Sequence, residues 1–91
     1  MKFLEIGNNS MVAESQILLI APPESAPIRR RMETARESGV LLDCTCGKRT
    51  RSVIVTLDGT IIMSVVTPDT LQKRAIFSER VFDGSGVAQA P

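Results

Sequence analysis

The sequence predicts an α+β domain, a small twisted and mainly antiparallel sheet with one principal helix and a short C-terminal helix. Three features predict it. Apolar runs of strand length, such as QILLIA (16–21), are separated by turn signals. One stretch, 26–38, carries apolar residues at helical spacing. Asp58-Gly59 joins two further apolar runs, the strongest short-range hairpin signal. A chain of 91 residues makes one domain with a modest core, and with no Trp, no Tyr and three Phe that core must be aliphatic.

KFLEI (2–6) alternates enough for a short strand, and GNNS (7–10) is a turn. QILLIA is a continuous apolar run, as expected of a strand buried on both faces. PPES (22–25) ends it. Ser25 is the expected N-cap of a helix over 26–38, with Pro27 tolerated in the first turn and Gly39 as the C′ residue. Ile28, Met32 and Ala35 form the one narrow apolar stripe of that helix. VLLD (40–43) is a short strand.

The hairpin pairs RSVIVTL with TIIMSVV. A two-residue turn would set Leu57 opposite Thr60, Val55 opposite Ile62 and Val53 opposite Ser64. The other face would then hold Thr56 with Ile61 and Ile54 with Met63. Both faces are largely apolar, one helix covers one of them, and nothing else looks long enough to cover the other. A homo-oligomer is therefore expected, with one face of this hairpin in its interface. Thr67-Pro68 reads as N-cap and N1 of a helix over about 68–77, with Leu71 and Ala75 inward. The tail DGSGVAQAP (83–91) is expected to be disordered.

The formal net charge is only +1, but it is unevenly placed. Residues 1–25 balance to −2, whereas 26–51 hold seven cations against three acids, a local +4. Such a field attracts an anionic partner whatever the total. An enzyme is not indicated. There is no His for acid–base work, no Gly-rich phosphate loop, and no cofactor is called for. Asp43, at a strand end beside cations, reads as a structural salt bridge. Cys44 and Cys46, if extended, would present both thiols on one face. Zinc needs four ligands, so a metal would have to be shared between copies; otherwise these are two small half-buried residues. No signal peptide is visible and no apolar run could cross a bilayer, which predicts a cytoplasmic protein with reduced thiols and no membrane partner.

Two basic clusters stand out. Arg29-Arg30-Arg31 lies on the helix, where Arg29 with Glu33, and Glu33 with Arg36, have pairing distance. Arg30 sits near the helix start, where the dipole does not favour a cation. In Gly47-Lys48-Arg49-Thr50-Arg51, three cations fall within four residues and no acid is among the five. An extended chain would bring Arg49 and Arg51 out on one side, ~6.5 Å apart. The cluster reads either as a loop kept polar for solubility or as a site for an anion or phosphate backbone.

PESAPIRRRMETARESGVLLDCTCGKRTRSVIV, with the later SVVTPDTLQKR, closely resembles the RemA family, bacterial regulators of extracellular-matrix genes in biofilm formation. The likeness runs from KFLEIG (2–7) to about Arg74, so 1–82 is expected to be a RemA-like domain. The resemblance implies a DNA-binding protein built on a LytTR-related domain that assembles into a ring, octameric in the family, around which promoter DNA wraps. It places the DNA-contacting basic pair on Lys48 and Arg49, with Arg51 beside them. Gln16 stands where the family has a further DNA-contacting arginine, Lys48 where it has arginine, Cys46 where it has tyrosine and Asn9 where it has glycine.

The expected function is thus sequence-tolerant binding of double-stranded DNA by a homo-oligomeric ring, in transcriptional regulation. Lys48, Arg49 and Arg51 would neutralise phosphates, with Gln16 and Arg30 touching backbone or sugar nearby. Two other readings stay open: an oligomeric scaffold for protein partners, and a binder of RNA or a small phosphorylated ligand through the same loop. The scarcity of stacking aromatics weighs against single-stranded recognition.

Overall fold

A computed structural model describes residues 2–82, with side chains through residue 75; the tail expected over 83–91 lies outside the described residues. The chain is α+β, as the sequence predicts. Strands β1 (Phe3–Gly7) and β2 (Ser10–Ala13) form an antiparallel two-stranded sheet. A 3-10 turn over Glu14–Gln16 leads to β3 (Ile17–Ala21) and then helix α1 (Ala26–Ser38). Strands β4 (Leu41–Asp43), β5 (Ser52–Thr56) and β6 (Ile61–Ser64) follow, and helix α2 (Pro68–Phe82) comes last. The larger sheet has the order β3-β5-β6-β4, with only β4 and β6 parallel.

Local chemistry explains the helix ends. Ser25 is the extended N-cap residue of α1, although its hydroxyl makes no capping bond, and Pro occupies the first positions. Gly39 closes the helix in the left-handed region with φ 76°, its N–H bonded to the carbonyls of Ala35 and Arg36. Glu33 pairs with Arg36 at 2.8 Å rather than with Arg29. At the start of α2, Thr67 Oγ1 accepts the N–H of Thr70 at 3.3 Å. That helix runs five residues beyond the end expected for it.

Several expectations are corrected. Ser10, read as the last residue of the turn GNNS, begins a strand over Ser10–Ala13 that was not expected, because Asn8 and Asn9 both adopt positive φ and close a two-residue hairpin from Gly7 to Ser10. Strand β3 is not buried on both faces; it is an edge strand, with Leu18 and Leu19 exposed. The β5–β6 hairpin has a three-residue loop, Leu57 to Gly59, and its register is shifted by one. Val55 faces Ile61, Ile54 faces Ile62 and Val53 faces Met63. The Thr56 N–H donates to the Thr60 carbonyl at 2.9 Å, and Gly59 takes φ 92°, the arrangement of a turn followed by a left-handed glycine. Asp58 fixes it by accepting from the Thr56 hydroxyl and the Thr60 N–H. A one-residue shift moves every β6 side chain to the other face.

The argument for an oligomer from a bare hairpin face also fails. One face of the hairpin, with Ile54 and Ile62, packs under Leu4 and Ile6 of the β1–β2 hairpin and Leu71 of α2. The other, with Val53, Val55 and Ile61, packs under Ile28 and Ala35 of α1. Ser52 to Thr56 are all buried by the chain itself. The missed strand β2 is the reason: a second small sheet, together with α2, supplies the cover that seemed to be lacking. Arg74 of α2 donates to the Glu5 carbonyl at 2.8 Å and fastens that layer to β1.

Candidate nucleic-acid interface

The basic loop spans the gap between β4 and β5, and both of its ends are clamped to β6. The Cys44 N–H bonds the Met63 carbonyl at 3.0 Å, and the Arg51 N–H bonds the Ser64 carbonyl at 2.8 Å. Between them Thr45 to Lys48 is a tight turn, closed by the Lys48 N–H on the Thr45 carbonyl at 3.0 Å. Its central residues, Cys46 and Gly47, both have positive φ, 54° and 83°. Two such residues in succession define a primed turn, for which glycine is well suited.

Asp43 holds the entry to this turn. Its carboxylate accepts both the hydroxyl and, at 2.9 Å, the N–H of the buried Thr45. The expected salt bridge is absent: Asp43 forms no ion pair among the described residues. Local bonds within the turn take up this carboxylate in place of the cations farther along the chain. The Thr45 hydroxyl and then its N–H hold the Asp43 carboxyl below the ordinary value of 3.8. A depressed carboxylate contributes its full share of stability above the unfolded value and loses it as pH falls through the folded one. The Thr45 amide resonance is therefore expected to follow that titration, on the acid side of the ordinary carboxylate value. In Asp43→Asn that titration disappears; a Thr45 amide that titrates identically in the variant would contradict the assignment.

A second tie comes from the other sheet. The Asn8 side-chain amide donates to the Cys44 carbonyl at 3.1 Å, joining the β1–β2 tip to the basic loop. Asn9, where the resemblance expects glycine, has φ 63°, a conformation that Asn tolerates better than most residues. Beneath the tip, the buried Ser64 hydroxyl donates to the Ile6 carbonyl at 2.8 Å and accepts the Val66 N–H at 3.0 Å. The loop is thus mounted on a hydrogen-bonded platform. Asn8 and Thr45 were not singled out in the sequence, though the Asn-Asn pair and the Asp-x-Thr spacing are signals for local side-chain bonding.

Lys48, Arg49 and Arg51 are all exposed. Their side chains make no hydrogen bond or ion pair among the described residues. Helix α1 begins at the same end of the sheet, because β3 runs out there before α1 crosses back to the start of β4. Its first turn carries no acid, so the positive end of its dipole adds to the field. The arrangement can hold anions, and among the described residues there is no cluster fit for a metal. The extended thiol pair does not form: Cys46 is exposed at the turn, whereas Cys44 is half-buried against the core.

The structure does not bring Gln16 to this loop. The Gln16 carbonyl accepts the Leu57 N–H at 2.8 Å, and Ile17 faces Thr56, so Gln16 lies at the opposite end of β5. Four residues separate Thr56 from Ser52, about 13 Å of strand. Arg30 is exposed on α1, in a shallow groove with Thr34, Ser38, Val40 and Gly59 that leads away from the loop.

The family described as "RemA-like: Extracellular matrix regulatory protein A-like" matches residues 3–75. A protein of Geobacillus thermodenitrificans named "Putative regulatory protein" is 46% identical over 79 residues, which are 87% of this chain and 91% of that protein. Similarly named proteins of Bacillus cytotoxicus and Bacillus cereus are 46% identical over 74 residues, 81% of this chain and 85% of theirs.

Proposed function

Because this chain belongs to the family of extracellular matrix regulatory protein A-like proteins, we propose that it is a transcriptional regulator that grips duplex DNA as a ring of identical copies. The family's description and the names of the relatives are those of regulatory proteins. The observation that supports DNA as the target is the loop itself: three exposed cations, unpaired among the described residues, on a backbone fixed by Asp43, Asn8 and β6. Three like charges within four residues repel one another, which costs stability until an anion arrives. A rigid mount lets them meet phosphates with little ordering cost.

Lys48, Arg49 and Arg51 neutralise phosphates and so set position rather than sequence. Preference among sites then comes from how cheaply a duplex bends around the assembly. Lys48, as a point charge, gives up the bidentate fork an arginine would offer. Gln16 and Arg30 touch the backbone only where the bent duplex passes the far end or flank of a protomer.

Competition in one assay separates this function from its rivals. A labelled duplex bound to the protein is expected to be displaced by unlabelled duplex, far less by RNA of the same length, and not by mononucleotides. Displacement by a mononucleotide at comparable concentration would instead make the loop a small-ligand site.

A further inference from the structure

A groove of about 400 Å³ runs between the flank of α1 and the chain entering β4 and β6. That volume falls in the range of small-ligand sites, about 300–1,000 Å³. Arg30, Arg31, Thr34 and Ser38 give it a polar wall, all four carried by the helix. Ala35 and Ile61 are almost fully buried and form its bottom, with Val40 beside them.

Helical spacing gathers the polar groups. Thr34 and Ser38 follow Arg30 on one row of the helix, a turn apart, and Arg31 is a turn from Thr34 on the neighbouring row. All four side chains are exposed, and none makes a hydrogen bond or ion pair among the described residues. None of the lining residues is acidic. Glu33 is taken up by Arg36, and Asp58, beside Gly59 of the groove, accepts from Thr56 and Thr60. Guanidinium groups without a carboxylate partner suit phosphate, which they can meet with two parallel N–H···O bonds. A face kept charged only for solubility would need neither the recess nor its apolar bottom.

We propose that this groove is a binding site, separate from the basic loop, for a small phosphorylated ligand with a flat, largely uncharged body, of the class of nucleoside monophosphates. The helix sets the direction of the ligand. Ser38 is the last residue of α1, where the dipole disfavours an anion, whereas Arg30 and Arg31 lie in its first half. The phosphate therefore sits at the arginines. The uncharged body extends over Ala35, Val40 and Ile61, within reach of the Thr34 and Ser38 hydroxyls. A duplex, with its phosphates on a broad convex surface, would touch the arginines and leave the apolar bottom unused.

The groove and the basic loop occupy opposite ends of the sheet. At the groove the Ile61 N–H bonds the Val40 carbonyl at 3.0 Å; at the loop the Arg51 N–H bonds the Ser64 carbonyl. Ile61 and Ser64 are the two ends of β6, roughly 10 Å apart along the strand. Ligand and duplex can thus be held together, and the site stands whether or not the loop grips DNA.

Calorimetric titration of the whole chain with AMP, CMP, GMP and UMP in turn, against inorganic phosphate and the parent nucleosides, tests the site. At least one nucleotide is expected to saturate at one per chain, at least ~10-fold tighter than phosphate or its own nucleoside. Arg30→Ala combined with Arg31→Ala should weaken it by at least ~10-fold. The melting temperature should not change, because both side chains are exposed and unbonded among the described residues. Lys48→Ala with Arg49→Ala should leave nucleotide binding intact, and so should a saturating duplex. Failure of every nucleotide to saturate by about 1 mM overturns the inference. Phosphate binding as tightly as the nucleotides overturns it too, reducing the groove to an anion patch. Loss of nucleotide in the Lys48→Ala, Arg49→Ala variant, with the α1 variant unaffected, would move the ligand to the basic loop. Displacement of nucleotide by duplex would make the groove part of the nucleic-acid surface, which equally contradicts a separate site.

Discussion

Replacing Lys48 and Arg49 together by alanine is expected to abolish duplex binding while leaving fold and assembly unchanged. Both side chains are exposed and bond to nothing among the described residues, so their removal should shift stability by no more than about 0.5 kcal/mol. The effect on binding is multiplied by the number of copies. Three cations on a lone protomer give weak contact, whereas repeated loops along one duplex make later contacts intramolecular, raising avidity by about 10²–10⁴. Removing two of three cations from every copy takes away most of that gain. Fluorescence anisotropy with a labelled duplex, alongside the melting temperature, checks both halves of the expectation. A double variant that binds like the wild type would move the interface away from this loop, with the arginines of α1 next in line.

Leu71→Ala is expected to have the largest effect on the fold. Leu71 is fully buried, and it joins α2 to Leu4, Ile6, Ile54 and Ile62 in the core under the β1–β2 layer. Truncation of such a leucine costs about 2–5 kcal/mol, from lost burial and the cavity left behind. A domain of this size has only about 5–13 kcal/mol in total. Each kcal/mol corresponds to about 4–8 °C in a small domain, so the melting temperature should fall by at least ~8 °C. The consequence reaches the basic loop, because the same layer carries Asn8, whose amide holds the Cys44 carbonyl. A variant melting within a few degrees of the wild type would mean that α2 contributes little to this core.

Much of the α+β plan was legible because the relevant signals are local. Ser25, Pro27 and Gly39 bounded α1 to the residue, and the apolar spacing of Ile28, Met32 and Ala35 identified its inner face. Less local features were hidden. The hairpin register depended on the Thr56 and Asp58 side chains favouring a three-residue loop over the two-residue turn that Asp-Gly suggests. The apolar content of β3 resembled that of a buried strand, but composition does not distinguish a strand covered by its own chain from an open edge.

At the candidate site, Lys48, Arg49 and Arg51 were legible as charges, and Gly47 as a turn residue. The supports of the loop were not, because Asn8 reaches Cys44 across 36 residues. The separation of Gln16 from the loop likewise follows from strand direction, which the sequence does not state.

Salt dependence of duplex binding by the purified assembly tests the central claim most directly, that many copies of one basic loop engage a single duplex together. A single protomer neutralising three phosphates would give a slope of log K against log salt of about −2.7. The account predicts a slope distinctly steeper than that, with binding collapsing over a modest rise in salt. A slope no steeper than the single-protomer value, or binding indifferent to salt, would contradict it.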